Sequence, residues 1–128
     1  MKTFYLFFGI IATTCLLFSC NAQPTSPGGK LGTKNYYGNY TMGATSGTAY
    51  TYLNATGDTL IDLRYSLNSA PSITISNVTF KDSSGFYTLF KTDAIGTLHG
   101  ATTSNFQTLT WQYVTSGNTV GFTGSKIQ

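Results

Sequence analysis

The sequence predicts an all-β domain, an antiparallel meander of about eight short strands, and three observations carry the prediction. Beyond residue 35, no stretch repeats apolar residues at spacings of three and four over two helical turns; short runs alternate apolar and polar instead. The runs are separated by clusters such as Ala55-Thr56-Gly57-Asp58, Asp82-Ser83-Ser84-Gly85 and Ser116-Gly117-Asn118, whose residues accept positive φ or bond their own backbone. These connections are short, and a parallel return needs a crossover of about a dozen residues or more, so consecutive strands pair antiparallel. Closing the meander removes exposed edges, and eight is the strand number of small ligand-holding barrels. The expected architecture is a small closed or flattened barrel, with a two-sheet β-sandwich as the alternative.

Taken in order, the strand-like runs are Gly38–Gly43, Thr48–Asn54, Thr59–Leu67, Ser72–Phe80, Phe86–Thr92, Ile95–His99, Phe106–Thr115 and Thr119–Gly124. Period-two reading assigns their faces. In the third, Ile61, Leu63 and Tyr65 share one side, while Leu60, Asp62 and Arg64 share the other, where Asp62 and Arg64 are placed so that they could pair, an exposed contact worth only about 0–1 kcal/mol. In the fourth, Ile73 and Ile75 fall on one parity and Val78 and Phe80 on the other, so a bulge near Ser76-Asn77 is needed to restore register. Leu109, Trp111 and Tyr113 form another inward row, with Val120 and Phe122 beside them in the last run.

Before this domain stands a different kind of sequence. Lys2 precedes Phe4 to Phe18, an uncharged apolar stretch of fifteen residues. A membrane-spanning helix needs about 20 such residues, so residues 1–19 read as a signal peptide. The stretch ends in Leu17-Phe18-Ser19-Cys20, which resembles the lipobox of bacterial lipoproteins: a branched apolar residue three before the cysteine, a small residue directly before it, then the cysteine. The resemblance implies that Cys20 accepts a diacylglycerol as a thioether and that cleavage frees its amine for a further acyl chain such as palmitate. Each buried methylene contributes roughly 0.8 kcal/mol, so two or more chains anchor firmly to a bilayer. Residues 20–35 contain Pro24, Pro27, Gly28, Gly29 and Gly32 among small polar residues, a composition expected to form a flexible tether. Residues 36–128 are then the barrel-like domain. Lipoproteins resembling this one that are displayed on the surface often carry an acidic run just after the cysteine; none follows Cys20, so the resemblance implies an outer-membrane lipid anchor facing the periplasm.

Composition narrows the function classes. Of 128 residues, removal of nineteen leaves 109, the size of one domain. Charged residues are 9% of the chain and its formal net charge is +3, too small and too scattered for a nucleic-acid surface. Cys15 lies within the export segment, so a mature chain keeps Cys20 alone and forms no intrachain disulfide. Five Phe, eight Tyr and one Trp follow Ser19, so aromatic residues must supply much of the core.

Tyr37-Gly38-Asn39-Tyr40, Ile75-Ser76-Asn77-Val78 and Gly121-Phe122-Thr123-Gly124-Ser125-Lys126 resemble segments of small Bacteroidota lipoproteins, anchored β-domains often described as lipocalin-like. Gly38-x-Tyr40 is also similar to the Gly-x-Trp start of lipocalins, with Tyr in place of Trp. What this resemblance implies is a membrane-anchored barrel, for most members of which no activity is assigned.

Groups for catalysis are scarce. His99 is the only histidine, no serine sits in a Gly-x-Ser-x-Gly elbow, and Asp58, Asp82 and Asp93 lie in or beside turns, where capping is their usual work. The acidic spacing is too sparse for a calcium loop. The expectation is therefore a non-enzymatic structural or interaction module with no cofactor and no metal, partnered with the lipid bilayer through Cys20 and with a protein or glycan not identified by sequence. The alternative is a carrier for a small apolar or glycan ligand, with Tyr40, Tyr50, Tyr52, Trp111 and Tyr113 as binding residues, since tyrosine and tryptophan offer a ring and a polar tip. Asp58-Thr59-Leu60 resembles the Asp-Ser/Thr-apolar acceptor of O-glycosylation in Bacteroidota, which would place a glycan on Thr59.

Overall fold

The computed structural model describes residues 31–128; the expected signal peptide, Cys20 and most of the expected tether lie outside the described residues. Eight strands follow one another: β1 Thr33–Met42, β2 Thr45–Ala55, β3 Leu60–Leu67, β4 Ile73–Asp82, β5 Phe86–Thr92, β6 Gly96–Thr103, β7 Thr108–Thr115 and β8 Thr119–Lys126. Each pairs antiparallel with the next, and β8 returns to β1, closing the barrel in simple sequential order. The sandwich alternative is thereby set aside.

The first boundary differs from the sequence reading. Strand β1 starts at Thr33, and Leu31 is already fully buried, so the barrel takes in residues that composition assigns to the tether. Thr33, Lys34 and Asn35 pair with Asn54, Leu53 and Tyr52. A polar, glycine-flanked segment becomes a strand here because β2 offers it a ladder, which no local pattern announces. Strand β7 is shorter than expected at its start. Phe106 has φ 58° and sits in the β6–β7 turn, with its ring 5.0 Å from that of Tyr87.

The expected bulge is present. Ile61 faces Val78 and Leu63 faces Ile75, so Asp62 alone opposes Ser76 and Asn77. Asn77 has φ 57°, and its N–H donates to the Asp62 carboxylate at 3.3 Å. The extra residue brings Ile75, Val78 and Phe80 all inward, while Ile73, despite its parity, is half exposed at the rim.

The interior is occupied by side chains. Trp111, Tyr36, Phe80 and Phe122 are the largest of the fully buried residues, packed with Leu53, Ile61, Leu63, Leu89, Leu98 and Leu109. Fully burying a side chain of this size contributes roughly 2–3 kcal/mol. The Trp111 ring lies 4.9 Å from Tyr65 and 5.7 Å from Phe122, and its indole N–H donates to Thr51 Oγ1 at 3.1 Å. Tyr36 meets Thr102 Oγ1 at 3.4 Å, and that hydroxyl donates onward to the Thr108 carbonyl at 2.7 Å. Burial pushes the phenols of Tyr36 and Tyr65 above their ordinary range. The two buried threonines thus satisfy the polar ends of rings that otherwise fill the barrel with apolar surface.

Candidate outer-wall binding groove

Strand parity separates the five aromatic residues expected to bind a ligand together. Tyr40 and Trp111 are buried inside and Tyr113 is half buried on the same inner side, whereas Tyr50 and Tyr52 point outward from β2. They do not form one site. Tyr40 accepts a hydrogen bond from the Asn68 amide at 2.9 Å, tying β1 to the β3–β4 turn. Trp111 is committed to Thr51 and the core. The inward set is structural packing, so the chemistry of the outer wall decides where a ligand has room.

Three adjacent rows of outward side chains cross β1 to β4. Tyr37 stands opposite Tyr50. In the next row Asn35, Tyr52, Arg64 and Thr74 are successive cross-strand partners, and beyond it come Thr33, Asn54 and Asp62. The last two rows line a groove of about 460 Å³, within the roughly 300–1,000 Å³ usual for ligand sites. The tyrosines form its apolar flank: Tyr37 and Tyr50 have ring centroids 4.8 Å apart, and Tyr50 and Tyr52 are nearly parallel at 6.4 Å. The Arg64 guanidinium lies over the Tyr52 ring, 4.8 Å from its centroid, a cation–π arrangement that fixes a flexible side chain in one orientation.

The polar groups of this groove are only partly used. Thr33 Oγ1 donates to Asn54 Oδ1 at 3.0 Å, leaving the Asn54 amide N–H groups as donors. Asp62 spends one carboxylate oxygen on the bulge. Asn35 Oδ1 is buried without a hydrogen-bond partner, an unusual state for a buried acceptor. Sequence reasoning misses Asn35 and Asn54 and allows Arg64 to pair with Asp62 across an exposed face. Arg64 stacks on Tyr52 instead. The signal available was the short turn after β2, which sets Tyr52 and Arg64 opposite one another on the polar face.

A second, wider depression of about 670 Å³ lies on the wall formed by β6, β7, β8 and β1, lined by Asn39, Thr41, His99, Gln112 and Thr123 above Gly100 and Gly121. It is larger, but its outward groups carry no fixed cation and no carboxylate. His99 is exposed, with its ring 5.0 Å from Phe90. Asp93 does turn work: it accepts from the N–H groups of Ile95 and Gly96 at 2.9 and 3.1 Å and pairs with Lys91 at 3.0 Å. Lys91 and these backbone donors hold its carboxyl below the ordinary aspartate range. Among the described residues, no three His, Cys, Asp or Glu converge as metal ligands. Thr59 is exposed between β2 and β3, and its carbonyl accepts from the Phe80 N–H at 2.7 Å.

No protein-family model matches the chain, and no significant match is found among curated proteins or solved structures. The class is accordingly defined by geometry: a closed, eight-stranded antiparallel barrel with a filled apolar interior and a polar wall carrying an aromatic-flanked groove.

Proposed function

We propose that this chain is an envelope lipoprotein, anchored through acylated Cys20 and facing the periplasm, whose barrel is a non-enzymatic interaction module that works through its outer wall. The observation that carries this reading is the partition of side chains. Most of the apolar rings fill the interior, while the outer wall, although it carries Phe86 and Phe90, presents Arg64, Asp62, Asn39, Gln112 and His99. That polarity is the reverse of a barrel whose wall faces lipid, and it suits a domain held beside a membrane. A ligand inside the barrel would have to displace Trp111, Tyr36, Phe80 or Phe122, which supports a reading in which interactions use the wall. The chain between Cys20 and Leu31 reaches at most roughly 40 Å when fully extended, which keeps the barrel close to the bilayer.

Cell fractionation with mass analysis of the mature N-terminus tests the anchor. The natural chain should partition with membranes and carry acyl mass on Cys20, and Cys20→Ser should be released or remain unprocessed. A Cys20→Ser protein of mature size that still partitions with membranes would sink the lipoprotein reading.

A further inference from the structure

We infer that the β1–β4 groove is a saccharide-binding site for a neutral oligosaccharide, with Tyr50 and Tyr37 as stacking surfaces and Arg64, Asn35, Asn54 and Asp62 as hydroxyl partners. This rests on the proposal that the outer wall is the interacting surface, and it names the ligand class for it. Four features select the class.

The first is the pairing of flat aromatic faces with planar polar side chains. Tyr37 and Tyr50 are each 41% exposed, leaving ring surface to cover the apolar C–H face of a sugar. The second is hydrogen-bond chemistry. Each sugar hydroxyl both donates and accepts, and the groove presents both kinds of group: N–H donors on Arg64, Asn35 and Asn54, and an acceptor on Asp62.

The third feature is charge. Arg64 and Asp62 are two residues apart on the same face of β3, so the groove carries one charge of each sign and favours neither an anion nor a cation. Arg64 has no ion-pair partner among the described residues, and its stacking on Tyr52 holds the guanidinium ready before a ligand arrives. The fourth is shape. The tyrosine ladder and the polar rows run continuously over three cross-strand rows, with rings 6.4 Å apart along β2, which is an extended track for several sugar units. Other occupants fit poorly. One arginine beside an aspartate is no phosphate track.

The test is a titration of the full acylated protein, in a detergent without a sugar head group, against a panel of neutral oligosaccharides: glucans, mannans, xylans and galactans of two to six units. At least one should bind and shift the ring resonances of Tyr50 and Tyr52. Tyr50→Ala and Arg64→Ala should each weaken that binding at least tenfold. Tyr50→Phe should stay within about threefold, because the ring and not the hydroxyl does the stacking, and Arg64→Lys should weaken it by losing the planar stack. Circular dichroism on each variant confirms that the barrel is intact. If no neutral oligosaccharide binds the natural protein, if binding is indifferent to Tyr50→Ala and Arg64→Ala, or if uronic-acid oligomers bind better than neutral ones, the inference is overturned. A protein that partitions with membranes through Cys20 yet binds no sugar would lose this inference alone and leave the anchored-module reading in place.

Discussion

Thr51 is a small residue with a large structural task. It is fully buried on the inner face of β2, and its hydroxyl receives the indole N–H of Trp111 at 3.1 Å, across the barrel interior. Tryptophan is the largest side chain in the core, and its ring is shared between Tyr65 and Phe122. Replacing Thr51 with Val keeps the shape but strands a buried donor, which costs about 1–3 kcal/mol. Thr51→Ser keeps the acceptor and loses one methyl, so it should cost about 1 kcal/mol or less. Urea unfolding should show a lower midpoint for Thr51→Val at unchanged slope. An unchanged midpoint in Thr51→Val would mean that the hydrogen bond contributes nothing to stability.

At the scale of the element, β4 shows what could be read in advance. The clash of parity between Ile75 and Val78 announced a bulge, because period two is a rigid rule within a strand and both residues are too apolar for the outer wall. The structure places the extra residue at Ser76-Asn77, with Asn77 at φ 57°. Asparagine tolerates this left-handed backbone, and its N–H gains the Asp62 carboxylate. A β-branched residue does not tolerate it, so Asn77→Val should destabilise by about 1–3 kcal/mol, while Asn77→Gly should be close to neutral. A thermal-melt comparison in which Val and Gly behave alike would remove the backbone argument. The start of β1 was illegible for the complementary reason. Thr33, Lys34 and Asn35 carry no apolar alternation, and what makes them a strand is the ladder to Asn54, Leu53 and Tyr52. The groove was hidden in the same way. Arg64 and Asn35 lie 12 and 17 residues from Tyr52 in sequence, and only the joint register of three strands brings them into one row.

The whole molecule depends on one seam. Seven of the eight pairings join neighbours in sequence, but β1 with β8 is the pairing that turns a meander into a barrel. At its centre Gly38 stands opposite Gly124. A Cβ built on Gly38 would run into the Thr123 carbonyl and the Gly124 Cα, and one on Gly124 would run into the Phe122 ring. The two strands approach closely there because neither residue has a side chain on the inner face, and Phe122 fills the space beneath. Gly38→Val should therefore force the seam apart, with a loss of about 3 kcal/mol from overpacking, a large share of the roughly 5–15 kcal/mol that holds a domain folded. Gly117→Ala is the matched control: no atom lies within 4 Å of its added Cβ, so its effect should stay within about 0.5 kcal/mol. An opened seam also frees the edges of β1 and β8, and free edges pair with other chains. Size-exclusion chromatography of Gly38→Val should accordingly show dimers or larger species that Gly117→Ala lacks. A monomeric Gly38→Val with an unchanged unfolding midpoint would mean that the barrel does not rely on this contact for closure.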